Sequence, residues 1–438
     1  MTKKTWKASE DVMRLFQNVG RASLLYDIQD SHSGNMAIRH ADETGHEWIV
    51  ITATGSQKGD LDPSQICFLS PTETDFGYYK ASSETDIHAR ILALPGVGAS
   101  IHAHTKELMI VTLDDAPKPN QPAPFIPVDP LGRHHLGGIV PVDWVEIPSG
   151  SSEMARIIPQ RLADHPATVI QTHGTFARGR TLKEAFFLVC IANHAGYIVR
   201  LAGKLGVDIA ALRESVQAAP DAAFRPSEYS IDDDEICEFP EEKEILQEFR
   251  KAGARVFESR LSPFHTGSMS VRGVEHMLYA PKASMPREIG GPLRKVPLET
   301  GSDDPLELRL HKQIYAASDF QTVMHCYVPE AEAMSHFIYP GETGPLERVV
   351  PIDAEGGFLY LVIPVVPVQT EPGELVRLLH DYKMAIVRGG GVWAVGGQSL
   401  SEVLHHPSSL REICLYRIGA HELGLDLRKM EPEKAKRW

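Results

Sequence analysis

A chain of 438 residues, at a usual ~100–200 residues per domain, has room for two or three domains with buried cores. Its 42% hydrophobic and 23% charged residues exclude collagenous, low-complexity and disulfide-scaffold classes. Fifty-eight acidic residues against 44 basic ones leave a net charge of −14 at pH 7. That field opposes phosphate backbones and anionic headgroups, so neither nucleic acid nor a membrane is the expected partner. The five cysteines (Cys67, Cys190, Cys237, Cys326, Cys414) are odd in number, widely spaced and free of any CxxC pair, and read as small core residues in a reducing compartment. No apolar leader opens the chain and no run approaches ~18 uncharged apolar residues, so a soluble, cytoplasmic protein is expected.

In chain order, helical periodicity covers residues 12–25, short β-branched runs bounded by Gly or Pro cover 48–52, 98–103 and 168–172, and helices are expected at 85–94 and 182–205. This alternation predicts mixed α/β architecture around a sheet. Residues 220–242, with Pro220, Pro226, Pro240 and the acidic run at 232–235, read as an exposed connector. The expected division is a domain at 1–219, a linker at 220–240 and a second domain at 241–438.

The second domain is a divergent copy of the first. Residues 34–39 (GNMAIR) recur at 267–272 (GSMSVR), 84–88 (ETDIH) at 307–311 (ELRLH), and 102–104 (HAH) at 325–327 (HCY). Residues 179–184 (GRTLKE) match 397–402 (GQSLSE), each followed by an apolar-periodic helix at 185–205 or 403–423.

His102 and His104, two apart in a strand-like run, project from one face and make half of a metal site. A third histidine completes an open catalytic site, and His173, at a strand-ending His-Gly corner, is the candidate. An HxH pair alone is equally the mark of two hydrogen-bonded histidines. Ser82 and Ser83 read as the N-cap and first turn of the helix at 85–94, where free N–H groups suit a phosphate or carboxylate, with Glu84 beside them as a general base or merely a dipole partner. The glycine loops at 31–36 and 52–58 are able to present backbone N–H groups to an anion, or are ordinary tight turns.

Taken in order, Gly34-Asn35, Thr54-Gly55, Ser82-Ser83-Glu84, His102-x-His104 and His173-Gly174 resemble the class II aldolase and adducin family. The resemblance is full over residues 12–207 and degenerate over 242–425. It implies two tandem three-layer α/β/α domains, each around a largely antiparallel central sheet. It also implies that His102, His104 and His173 hold zinc or another divalent transition metal. Glu84 becomes the acid/base, and Gly34, Asn35, Thr54, Gly55, Ser82 and Ser83 cradle the substrate phosphate. The implied activity is a metal-dependent lyase that cleaves a C–C bond of a small hydroxy-oxo compound, such as a sugar phosphate, through a metal-stabilised enediolate. A decarboxylase, dehydratase or epimerase using the same enediolate is the alternative, as is a non-catalytic adducin-like scaffold.

In the second copy His325 stands opposite His102, but Tyr327 replaces His104 and residues 387–392 (VRGGGV) hold no histidine opposite His173. Pro305-Leu306 replaces the serine pair, so this copy is expected to be non-catalytic. The resemblance further implies a homo-oligomer, a dimer or tetramer of tandem chains, with the second repeat in the place of a neighbouring subunit. Between the second and third histidines, residues 132–138 read as a solvated loop, or as one whose Arg133, His134 and His135 meet an anion.

Overall fold

The computed structural model describes residues 10–30, 32–43, 45–70, 80–113, 122–218 and 243–436. The expected connector at 220–240 and Cys237 lie outside them. Where apolar and β-branched residues alternate, strands form: β1 (Asn35–Ala41), β2 (Glu47–Thr52), β3 (Ile66–Leu69), β4 (Ala99–Ala103), β5 (Val142–Asp143), β6 (Ala167–Ile170) and β7 (Gly174–Gly179). They build one sheet in the order β3-β2-β1-β4-β7-β6-β5, antiparallel except for β5 beside β6. On one face Ala37, Ile51, Cys67, Ile170 and Phe176 pack with Ile87 and Ile91 of the helix Thr85–Leu92 and with Met154, Ile158 and Leu162 of the helix Ser152–Asp164. The alternate residues Met36, Val50, Ile101 and Ala177 are buried too, so both faces of the sheet are covered.

The second half repeats this strand for strand. Its strands are β8 (Ser268–Arg272), β9 (His276–Ala280), β10 (Arg294–Pro297), β11 (Thr322–Cys326), β12 (Arg348–Val349), β13 (Ile363–Pro367), β14 (Met384–Arg388) and β15 (Gly391–Gly396). Their order is β10-β9-β8-β11-β15-β14-β13-β12, the first sheet's order with β12 added at one edge, and β13–β14 is again the parallel pair. The helices Leu306–Ala316 and Pro372–Tyr382 cover the Trp393 face of that sheet. The chain thus carries two mixed α/β sheets of one topology. It divides into two compact units, Met1–Pro127 with Leu131–Gly196 and Val128–Pro130 with Tyr197–Trp438.

Three local expectations are corrected. The helix expected to be capped by Ser82 begins at Thr85 with Glu84 at its N-cap, because Ser82 closes a turn of its own: its carbonyl accepts from the Thr85 N–H at 3.1 Å and from the Thr85 hydroxyl at 2.6 Å. The strand expected to reach residue 172 ends at Ile170, and Thr172 turns into the left-handed region with φ +64°. Part of the loop expected at 132–138 is the helix Pro130–His135, and burial holds the His135 imidazole down at about 3 while its ring lies edge-on to Phe187 at 4.7 Å. The helix Leu182–Lys204 is long and apolar enough to cross a membrane by length and composition. Its most apolar window is 89% buried, which marks a core helix. Cys67, Cys190, Cys326 and Cys414 are buried, as expected of small core residues.

Candidate metal centre

Strand β4 and the β6–β7 turn bring the three expected histidines together. His102 lies within β4, His104 one residue beyond its end, and His173 in the turn that His173 N–H closes on the Ile170 carbonyl at 3.1 Å. Their ligand-capable nitrogens all lie within 4.8 Å of one another. This close approach depends on Gly174: with φ +154°, a Cβ there would sit 2.7 Å from His102 Cε1 and 2.7 Å from the Ala103 carbonyl oxygen. The His102 ring stacks on His173 at 4.5 Å and on Phe176 at 4.2 Å.

The protonation pattern suits a metal. His102 Nδ1–H donates to the Thr175 carbonyl at 3.2 Å, which leaves Nε2 as the lone-pair nitrogen. That Nε2 is buried, has no hydrogen-bond partner among the described residues, and lies 3.9 Å from Glu84 Oε2. An orphaned buried imidazole nitrogen is costly unless something fills the place, and a divalent metal ion would do so. Burial lowers His102 to about 3, against the pull of the Glu84 charge, and burial together with His173 lowers His104. Both rings are therefore neutral, the form that binds metal.

Glu84 closes the set. Its buried carboxylate accepts from His173 Nε2 at 2.7 Å and from Asn35 Nδ2 at 2.8 Å. Burial alone would raise this carboxyl, but the His102 imidazole and the hydrogen bonds from His173 and Asn35 outweigh it and hold Glu84 well below the usual carboxylate range. Behind Asn35 lies a relay. Asn35 Oδ1 accepts from His88 Nε2, and His88 Nδ1 in turn accepts from the Ser100 hydroxyl at 2.6 Å. The signal for it is the ExxxH spacing of Glu84 and His88, repeated as Glu307 and His311.

The expected cradle residues are placed as follows. Gly34 has φ +69°, and a Cβ on it would meet the His102 carbonyl oxygen at 2.4 Å. The Asn35 amide is committed to Glu84 and His88 rather than pointing at an anion. Thr54 Oγ1 donates to the Ala81 carbonyl at 3.0 Å, and Gly55, at φ +70°, has open space where a Cβ would be. The Ser82 hydroxyl accepts from the Glu84 N–H at 3.3 Å, and Ser83 is exposed. Through Thr54 and the Ala53–Ala81 bridge, the second glycine loop is joined to the serine pair.

Both halves of the chain match the model of the class II aldolase and adducin N-terminal domain, over residues 14–198 and 247–418. The chain belongs to that family. It is 29% identical over 161 residues to the 5-methylthioribulose-1-phosphate/5-deoxyribulose-1-phosphate aldolase of Rhodospirillum rubrum, a match that spans 36% of this chain and 65% of that relative. Among solved structures, the L-fuculose-1-phosphate aldolase of Thermus thermophilus matches at 24% identity, covering 48% of this chain and 98% of that one with a TM-score of 0.36. The sugar-phosphate aldolase of Thermotoga maritima matches at 20% identity, 48% and 98% coverage, and a TM-score of 0.36.

The second repeat of this family domain has the same frame with its ligands spent. His325 Nδ1 faces Glu307 Oε1 at 2.8 Å and its Nε2 faces the Gly390 carbonyl at 2.9 Å, so both ring nitrogens meet acceptors. Trp393 stacks on His325 at 4.4 Å, as Phe176 does on His102. His311 bonds to the hydroxyls of Ser268 at 2.8 Å and Ser270 at 2.7 Å, where the first repeat has Asn35 and Ala37.

Proposed function

We propose that the first repeat is a divalent-metal lyase, with zinc the metal by this reading, that cleaves a C–C bond of a phosphorylated hydroxy-oxo substrate. We propose also that the second repeat, 241–438, is not catalytic. The observation that supports this most is the convergence of three imidazoles, one with an orphaned nitrogen, on a buried carboxylate. His102, His104 and His173 are the residues that would hold the ion, His173 through a ring nitrogen that does not at the same time donate to Glu84. When bound, the ion supplies Lewis-acid stabilisation of negative charge developing on a substrate oxygen. Glu84, ionised at neutral pH, accepts the proton of the substrate hydroxyl as the C–C bond breaks to release an aldehyde. The same carboxyl then returns the proton to the departing carbon. Asn35 holds Glu84 in place for both transfers, and Gly174 keeps the rings close.

Elemental analysis of the chain, purified without chelator or histidine tag, tests this reading. About one transition metal per chain is expected, lost in His102→Ala and kept in His325→Ala, together with aldehyde release from a panel of sugar phosphates. A chain that holds no metal and takes up none on addition of zinc overturns it. Turnover without free aldehyde redirects the reading to decarboxylation, dehydration or epimerisation.

A further inference from the structure

None of the six residues that the family resemblance places around a substrate phosphate carries a positive charge, yet the second glycine loop, 52–58, ends in a buried ammonium that bonds to both loops. Lys58 is 1% exposed. Its Nζ donates to the His32 carbonyl of the first loop at 3.1 Å and to the Ser56 carbonyl of the second at 2.9 Å. A buried ammonium with two neutral acceptors is costly unless further negative charge answers it. Asp30 supplies some: its carboxylate accepts from the backbone N–H of Ser33 at 2.6 Å and of His32 at 3.0 Å, and its charge favours the protonated amine. Burial still lowers Lys58 to about 8, so the charge is present at neutral pH and incompletely answered. It also reaches the candidate metal centre, where it acts on His104.

A second observation points to a ligand at the same place. The Ser56 hydroxyl, 1% exposed, has no hydrogen-bond partner among the described residues, and neither polar atom of the buried Gln29 amide has one, although Gln29 Oε1 lies against Gly34. A buried polar group without a protein partner is costly, and a ligand group placed against these atoms would satisfy them.

We propose that Lys58 is the resident cation of the two-loop cradle, a positioning and specificity residue that ties the loops through their carbonyls and supplies the positive charge that selects a phosphorylated substrate, with Ser56 Oγ as a further donor. This rests on the lyase reading for the use of the site, but its test reads anion binding apart from metal and turnover.

The probe is inorganic phosphate, its binding to the full chain followed by calorimetry beside metal content and thermal unfolding. Lys58→Met is expected to keep the wild-type metal content while binding phosphate about tenfold or more weakly and with a shallower salt dependence. Lys58→Gln, neutral but able to bridge one carbonyl, is expected to match it, and serves if the methionine variant fails to fold. Wild-type phosphate affinity in either variant overturns the proposal, as does a metal-bearing wild type that binds no phosphate. A wild type that binds phosphate but no metal removes the lyase reading and leaves the role of Lys58 standing.

Discussion

At the scale of single residues, the chemistry assigned to Glu84 depends on a side chain that never touches the three histidines. His88 is fully buried. Burial lowers it to about 4, against the Glu84 charge that would raise it, so the ring is neutral. A neutral imidazole has one donor, and because Asn35 Oδ1 is an acceptor that donor is Nε2–H, which fixes the Asn35 amide with Nδ2 toward Glu84. His88→Leu strands the Asn35 carbonyl and the Ser100 hydroxyl, each at a cost of about 1–3 kcal/mol. The expected result is a chain less stable to urea by about 2 kcal/mol that keeps its metal and its KM, but turns over about tenfold more slowly because Glu84 is no longer held. Unchanged kcat in a folded His88→Leu protein would reduce the relay to a packing device.

At the scale of elements, the turn between β6 and β7 carries the third imidazole and pays for it in backbone strain. Thr172 has φ +64°, and a left-handed conformation costs a residue with a Cβ about 1–2 kcal/mol. A β-branched side chain is among the least suited to it. Asn visits this region readily, so Thr172→Asn is expected to raise stability by about 1 kcal/mol, seen as a higher unfolding temperature, with the metal content unchanged. A lower unfolding temperature would show that the Thr172 side chain holds the turn. This turn also shows where sequence reading stops. The core strands and the helices at 85–92 and 182–204 are legible because periodicity of 2 or 3.6 is local, and His102, His104 and His173 stand out because their spacing and their glycine corner are local too. The end of β6 at Ile170 is not legible, because nothing in the run to Thr172 signals a positive φ. The relay is equally hidden: His88 and Asn35 are 53 residues apart, and only the pairing of β1 with β4, Asn35 opposite His102, sets Asn35 beside Glu84 and the metal centre. Asn35 therefore reads in the sequence as an anion contact, whereas its amide is a support for Glu84.

At the scale of the whole molecule, duplication has kept the sheet and changed the titration chemistry within it. Glu307, His311 and His325 retain the places of Glu84, His88 and His102, but in the second repeat His325 meets Glu307 and the Gly390 carbonyl, and His311 meets the hydroxyls of Ser268 and Ser270. The buried imidazoles this leaves across the chain make an acid-sensitive fold. Burial lowers His88 to about 4 and His135, His194 and His311 to about 3, from an ordinary value of 6.5. Between pH 6.5 and those values the unfolded chain binds protons that the folded chain refuses, so stability is full above pH 6.5 and falls as the pH drops. Each such group contributes a slope of about 1.4 kcal/mol per pH unit. Four of them together are a large loss against a typical total stability of about 5–15 kcal/mol. The depressed carboxyls of Glu84 and Glu307 add their own loss only below about 4.5, their ordinary value, so the histidines act alone between about 6.5 and 4.5 and the two effects overlap below that. His194 offers the cleanest test, since burial is the whole cause of its shift. Urea unfolding from pH 7.5 to 5 is expected to show a steep loss in the wild type, and His194→Phe is expected to reduce that slope by about 1.4 kcal/mol per pH unit whatever it does to stability at pH 7.5. If the variant loses stability with pH as fast as the wild type, His194 takes up its proton in the folded chain, and the acid sensitivity has to come from the paired groups of the two sites.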